Sequence, residues 1–502
     1  MVHLVSNSLL ATLCAVTLGA TSLASPQELS RETALGRGLT GGATGHCQVL
    51  QAFDGNLLVG FEHPTQPLFL ELSPRSVRAE GFEVRVQLAD GSWELAEPEP
   101  VRTYRGVVLG EEGSRVAASM NEGRLSARIL LASGREWWIE PLDPSPQGQQ
   151  HDLHVLYQSD QVLDTGRSCG AELLGPVGPG ATWSPGSSSS SGATASQAGG
   201  AYGLAAGTTA EIACDTDFEY FSDYGSVGAV QTRIESVINS VNIQYERDVD
   251  ITHAITTILV RSSSNDPYTK KPADQLLYQL RGEWNSNNAG IPRDVVHLFT
   301  GRSLSGSTIG IAFLSAVCNL DIAYGLVESD FNGNYASTTD LSAHELGHNW
   351  GANHCSCTSY TMNAYIVNAN RFNPSGTIPT ITAYRDSQSC FGTVQPPADP
   401  TSIHVASVAP GTNNAGQGRK NGTATVVIET DTGAGRAGVS VSGSFSGDFN
   451  ESFSGVTDSS GSVTFTTSGQ QKGNVNFTFC VTGVSGDLPY APADNAETCD
   501  SL

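Results

Sequence analysis

The sequence is short of basic residues: 26 Lys and Arg stand against 50 Asp and Glu, for a formal net charge of −24 over 502 residues. A chain with that field repels phosphate backbones and anionic lipid, which argues against nucleic acid and membrane surfaces as partners. Charge of either sign is scarce, at 15% of residues, while Gly, Ser and Thr are plentiful. That balance points to a secreted, β-rich protein. Beyond the N-terminus no apolar run approaches the roughly 20 residues of a membrane-spanning helix. The Gly-rich runs lack the strand–Gly–Lys context of a phosphate loop, so no nucleotide is implied. Ten cysteines are too few for a disulfide scaffold, and no Cys-x₂-Cys pair marks a structural zinc site.

What is present begins with an apolar or small run from Ser8 to Ala24 ending in Ser22-Leu23-Ala24, a small-x-small cleavage pattern, although no Lys or Arg precedes it. The run is marginal in length for an anchor and is interrupted by Thr, Ser and Gly, so residues 1–24 are read as a signal peptide. The remainder is then extracellular, where disulfides persist. Residues 175–209 form a Gly/Ser/Pro/Ala linker, and 393–402 carries three prolines. The chain thus divides into 25–174, 210–395 and 400–502, in keeping with a prior of about three domains.

Short alternating runs at 82–88, 124–131 and 136–142 make the first region β-rich. In the second, Val227, Val230, Ile234, Val237, Ile238, Val241 and Tyr245 repeat at three and four, which predicts a helix over 227–246. A buried strand follows at 251–260, a helix at 273–284 with Pro272 at its start, and a strand at 294–299, an α/β arrangement. The third region is a chain of alternating strands (423–430, 439–445, 462–467, 475–483) that suggests an all-β sandwich.

The chemistry concentrates in His344-Glu345-Leu346-Gly347-His348-Asn349-Trp350-Gly351-Ala352-Asn353-His354. Two histidines four apart share one helix face, Gly351 can end the helix in a left-handed turn, and His354 can return as a third nitrogen. Three neutral imidazoles leave the fourth tetrahedral position of Zn²⁺ open to water, which separates a catalytic site from a structural one. Glu345, beside the first ligand, is placed to take a proton from that water and pass it to a leaving amine. Chance assembles the full pattern with a probability on the order of 10⁻⁵. His253 and His297, on predicted strands, are read as core residues. One zinc per catalytic domain is expected; no motif supports Ca²⁺.

This motif resembles that of the metzincins. Met362, eight residues past His354 in Ser359-Tyr360-Thr361-Met362, resembles the Met-turn beneath the zinc in that clan. Arg371 to Cys390 looks like the closing helix of the adamalysin (reprolysin) family, and the resemblance implies a disulfide from Cys318 to Cys390. The likeness covers about 210–392 and implies an α/β metzincin domain with a mixed twisted sheet and long helices. Two features depart from the family: Cys355 stands where Asp is usual, and the step from His354 to Met362 is short.

Upstream, Thr103-Tyr104-Arg105-Gly106 and Ile139-Glu140-Pro141-Leu142 resemble an adamalysin propeptide. Cys169-Gly170 then stands where zymogens of the clan offer a thiolate to the zinc; the alternative is a disulfide to Cys47. On the switch reading, Cys169→Ala frees activity in the uncut precursor. Residues 400–502 resemble bacterial Ig-like modules, with Cys480 and Cys499 tying the last strand to the tail. Cys214, Cys355 and Cys357 remain without assigned partners. The sequence therefore predicts a secreted, monomeric zinc endopeptidase acting on extracellular proteins and made as a zymogen. The rival is a non-catalytic adhesion or carbohydrate-binding protein on a metalloprotease scaffold; retention of Glu345 argues against it.

Overall fold

Period-two alternation in the N-terminal region produces a closed structure. In the computed structural model, strands Ala43–Phe53, Leu153–Gln158, Glu136–Pro141, Arg124–Leu130, Arg115–Asn121, Thr103–Val108, Leu68–Pro74 and Asn56–Phe61 pair antiparallel in that order. The first and last also pair with each other, so the sheet closes into a barrel. Val59, Phe61, Leu70, Leu72, Ile129 and Ile139 fill its interior. The structure describes residues 27–53, 55–61, 67–121, 123–142, 153–174, 207–391, 402–416, 418–431, 435–458, 461–486 and 488–502. The stretches read as signal peptide (1–24), as linker (to residue 206) and as proline-rich break (to residue 401) lie outside them.

The strand expected at 82–88 does not stay with the barrel. As β1 (Arg78–Gln87), with β2 (Trp93–Ala96), it joins the sheet of the middle region. That sheet also contains β3 (Ser168–Cys169), β4 (Thr208–Thr216), β5 (Ile251–Arg261), β6 (Val295–Thr300), β7 (Thr308–Ala312) and β8 (Tyr324–Glu328), in the order β3-β7-β8-β6-β4-β5-β1-β2. The central strands run parallel; β7 is antiparallel to β8. Because β4 starts at Thr208, the last two residues expected in the linker are strand.

The four longest helices of this region lie on the two faces: α1 (Val227–Val249), α2 (Ala273–Asn287), α3 (Tyr335–Asn349) and α4 (Thr377–Ser387). Alternation within β4 divides the core, with Ile212 and Cys214 packing toward α1 and α3 and Ala213 toward α2. α1 runs on to Val249, where Asp250 adopts a left-handed φ of 54° and ends it. α4 stops at Ser387, before Cys390, because Gln388 turns extended. The barrel leans on α1 and covers its polar face: Glu235, Ser236, Asn239 and Ser240 are all buried. Trp138, Tyr157 and Val155 of the N-terminal region share one apolar core with Ile234, Tyr335 and Leu341.

The C-terminal region is two antiparallel sheets around a core of Val405, Val426, Ile428, Val441, Phe445 and Phe479. Among the described residues three disulfides are present: Cys318–Cys390, Cys480–Cys499, and Cys355–Cys357, a pairing the sequence left open. Cys214 is buried outside any disulfide. Among the described residues no helix is long and apolar enough to cross a membrane.

Candidate metal centre

All 15 residues of α3 are buried. Its first three N–H groups, which have no partner within the helix, are met from outside its own backbone. Glu140 Oε1 accepts from Tyr335 N at 2.8 Å, Tyr157 Oη from Ala336 N at 3.2 Å, and the Asn334 side chain from Ser337 N at 3.0 Å. At the other end Gly351, with φ +91°, turns the chain back toward the helix.

That turn brings His354 against His344 and His348. Their Nε2 atoms form a triangle with edges of 3.1, 3.1 and 3.2 Å. Each ring is held through its other nitrogen: His344 Nδ1 on the Thr361 carbonyl at 2.6 Å, His348 Nδ1 on the Ala352 carbonyl at 2.7 Å, and His354 Nδ1 on Glu172 Oε1 at 2.5 Å. Carbonyl and carboxylate oxygens only accept, so Nδ1 carries the proton in each ring and three Nε2 lone pairs converge. Burial, then the neighbouring rings, pulls the His344 pKa well below its ordinary value; burial, then His354, pulls His348 to about 3. Converging lone pairs repel unless a cation lies among them, and one ion about 2.0–2.1 Å from each nitrogen satisfies all three. The residues fit a metal.

Glu345 lies beside the triangle, fully buried, with Oε1 lacking a hydrogen-bond partner. Burial pushes its carboxyl well above the ordinary range. The space it occupies depends on Gly310 of β7, where a Cβ would stand 2.4 Å from Oε1 and 2.9 Å from Cγ. Met362, fully buried, passes under the helix, and a Cβ on Gly347 would come within 2.5 Å of its sulfur.

The structure places Cys169 at the same point. Its Sγ is 3.4 Å from His348 Nε2 and 3.5 Å from Glu345 Oε2, grouped with all three histidines and not bridged to Cys47. Burial and the Glu345 carboxylate push this thiol well up, so it ionises there only against a cation. The segment around it is clamped on both sides. Ser168 N and Gly170 N donate to Ser307 O at 2.9 Å and Gly310 O at 2.8 Å, while Cys169 N reaches Ala364 O at 3.1 Å and Ile366 N reaches Arg167 O at 3.0 Å. Arg167 pairs with Glu328 at 3.0 Å.

His253 and His297 lie in the core, as expected: His253 bonds Asn242 Oδ1 and accepts from Trp350 Nε1, and His297 stacks edge-on to Phe299. Reading the sequence missed Glu172, Gly310, Arg167 and Thr361. Glu172 stands three residues past Cys169, and Gly310 centres an alternating strand, the only local signals either carries.

Residues 206–415 match a reprolysin profile of metallo-peptidase family M12. Snake venom metalloproteinase trimerelysin-2 of Protobothrops flavoviridis is 28% identical over 169 residues, 31% of this chain and 80% of that protein. Zinc metalloproteinase-disintegrin-like atrase-B of Naja atra is 30% identical over 129 residues, 25% of this chain and 21% of the relative. Disintegrin and metalloproteinase domain-containing protein 33 of Homo sapiens is 26% identical over 305 residues, 59% of this chain and 36% of the relative. The chain therefore spans most of the first relative's length and a minor part of the other two. The middle region, of mixed sheet and helices, is thus similar to M12 metallopeptidase domains, and that similarity implies zinc at the histidine triangle.

Proposed function

We propose that the protein is a secreted zinc endopeptidase, made as a latent precursor in which residues 25–174 serve as propeptide and 400–502 as an appended Ig-like module. The observation that carries this reading is the triangle of three Nε2 atoms 3.1–3.2 Å apart with a buried Glu345 carboxylate at its side. His344, His348 and His354 would hold zinc, which supplies Lewis acidity that activates water and polarises a scissile carbonyl. Glu345 accepts the proton of the attacking water on a carboxylate oxygen and hands it to the nitrogen of the departing amine. The backbone groups that clamp residues 167–170 offer an extended peptide the same hydrogen bonds: Ser307 O and Gly310 O on the β7 edge, Ala364 O and Ile366 N opposite. They orient a substrate across the histidines, and Met362 supports the rings from below.

Latency is supported by the position of the Cys169 sulfur, since a soft thiolate suits the fourth site of a three-histidine zinc. The covered face of α1 supports a removable N-terminal region. Glu235, Ser236, Asn239 and Ser240 lie under the barrel, and such residues tolerate water once it leaves. Extracellular proteins are the substrates proposed.

The test is Glu345→Gln in the processed enzyme. Full zinc content with turnover reduced at least ~10²-fold is expected, whereas near-normal turnover would remove the general base from the mechanism. His344→Ala, His348→Ala and His354→Ala should instead lose the metal, and 1,10-phenanthroline should abolish activity.

A further inference from the structure

The three ligand rings are not held alike. His348 bonds the Ala352 carbonyl, which the turn at the end of its own helix positions. His344 depends on the carbonyl of Thr361, in a segment, 358–371, that contains neither helix nor strand. Besides the packing of Met362 and Ile366 into the core, hydrogen bonds to neighbours set where that carbonyl lies.

Those bonds lead to Asp340, one helical turn before His344 and fully buried. Its Oδ1 accepts from Thr361 Oγ1 at 2.7 Å and from Asn370 N at 3.0 Å, and its Oδ2 accepts from Ala369 N at 3.2 Å. The Thr361 hydroxyl, its single proton given to Asp340, accepts from Arg371 N at 3.0 Å and Gln244 Nε2 at 3.1 Å. Asn368 and Asn370 flank this grip with φ of 56° and 49°, a left-handed conformation uncommon outside glycine. A carboxylate taken wholly out of water must be matched by donors, and every donor here comes from the segment that runs past His344.

We propose that Asp340 is a positioning residue of the metal centre: through the Thr361 hydroxyl it fixes the carbonyl that holds the His344 ring and keeps the proton on Nδ1. It binds no metal and touches no substrate. The inference rests on the metal-centre reading above and adds a determinant of metal retention outside the three-histidine motif. An outer partner that orients a ligand typically changes metal affinity 10- to 100-fold.

The test uses the full chain with Thr361→Val, which deletes the hydroxyl at nearly constant shape, Thr361→Ser, which keeps it, and Asp340→Asn. Zinc stoichiometry and the rate of zinc loss to excess chelator are measured on folded protein, and the visible spectrum is recorded on the cobalt-loaded form. Thr361→Val and Asp340→Asn should load one zinc yet release it at least ~10-fold faster than the unaltered chain, with a shifted cobalt spectrum. Thr361→Ser should behave as the unaltered chain. Folded Thr361→Val with unaltered release and spectrum would overturn the proposal. So would a Thr361→Ser variant as defective as Thr361→Val, since packing would then be the cause. An unaltered chain that binds no zinc would overturn the metal-centre reading and this proposal with it.

Discussion

At the scale of single residues, space beside the metal centre is as tightly specified as the ligands. Gly310 carries no chemistry of its own, yet a methyl group there would lie 2.4 Å from Glu345 Oε1 and 2.9 Å from Cδ. Glu345 is fully buried and has little room to swing aside. Gly310→Ala is therefore expected to keep its zinc and lose ~10²-fold in turnover, the scale of a misplaced catalytic group. The same substitution in a Glu345→Ala background should cost little more, because its target is already gone. Steady-state kinetics on the four proteins measure this, and additive losses would show that Gly310 acts elsewhere. Residues of this kind are illegible in a sequence. Glycine in a strand has many uses, and only the approach of another segment shows which one applies.

At the scale of elements, the helix that bears His344, Glu345 and His348 has its N-terminus finished by the N-terminal region. Glu140 accepts from Tyr335 N at 2.8 Å and from the Tyr157 hydroxyl, which in turn accepts from Ala336 N. Burial, reinforced by the Glu140 carboxylate, pushes the Tyr157 phenol well up, so it remains a donor to Glu140. A carboxylate at a helix N-terminus is favoured by the helix dipole as well as by the bonds. Glu140→Ala should lower the stability of the full-length chain by about 1–2 kcal/mol, read as a fall in the urea midpoint at constant slope. An unchanged midpoint would mean that the Ile-Glu-Pro-Leu element does not brace α3. The element boundaries themselves were largely legible. α1, α2, β5 and β6 lie within a few residues of their predicted limits, because each repeats its apolar residues at helical spacing or presents a short apolar run.

At the scale of the whole molecule, the proposed latency does not hang on one sulfur. The sequence alone leads one to expect that Cys169→Ala frees the site, but main-chain bonds on both sides hold residues 167–170 in the cleft. The pairs Arg167–Glu328 and Glu172–His354 and a shared apolar core add to them. Removing the thiol leaves the segment where it is. The uncut Cys169→Ala chain should therefore hydrolyse small peptides at no more than a few per cent of the rate of the processed enzyme, measured after size-exclusion removal of any processed protein. Activity comparable to the processed form would show that the sulfur alone holds the enzyme latent.

What the sequence determined by itself was the layout of the candidate metal centre. His344, Glu345 and His348 are fixed relative to one another by 1.5 Å of rise and 100° of turn per residue, and Gly351 announces where the helix ends, so local geometry suffices. Strands and helices followed from the same short-range periodicities. The tertiary structure decided whatever depends on segments far apart in the chain meeting. Glu172 reaches His354 across 182 residues and Cys169 reaches Glu345 across 176. The hairpin of β1 and β2 leaves its own region to extend another sheet. The polar face of α1 lies under the barrel. Periodicity reports which face of an element is apolar and says nothing of which polar face another domain will cover, because hydrogen bonds across such an interface use the same residue types that water would.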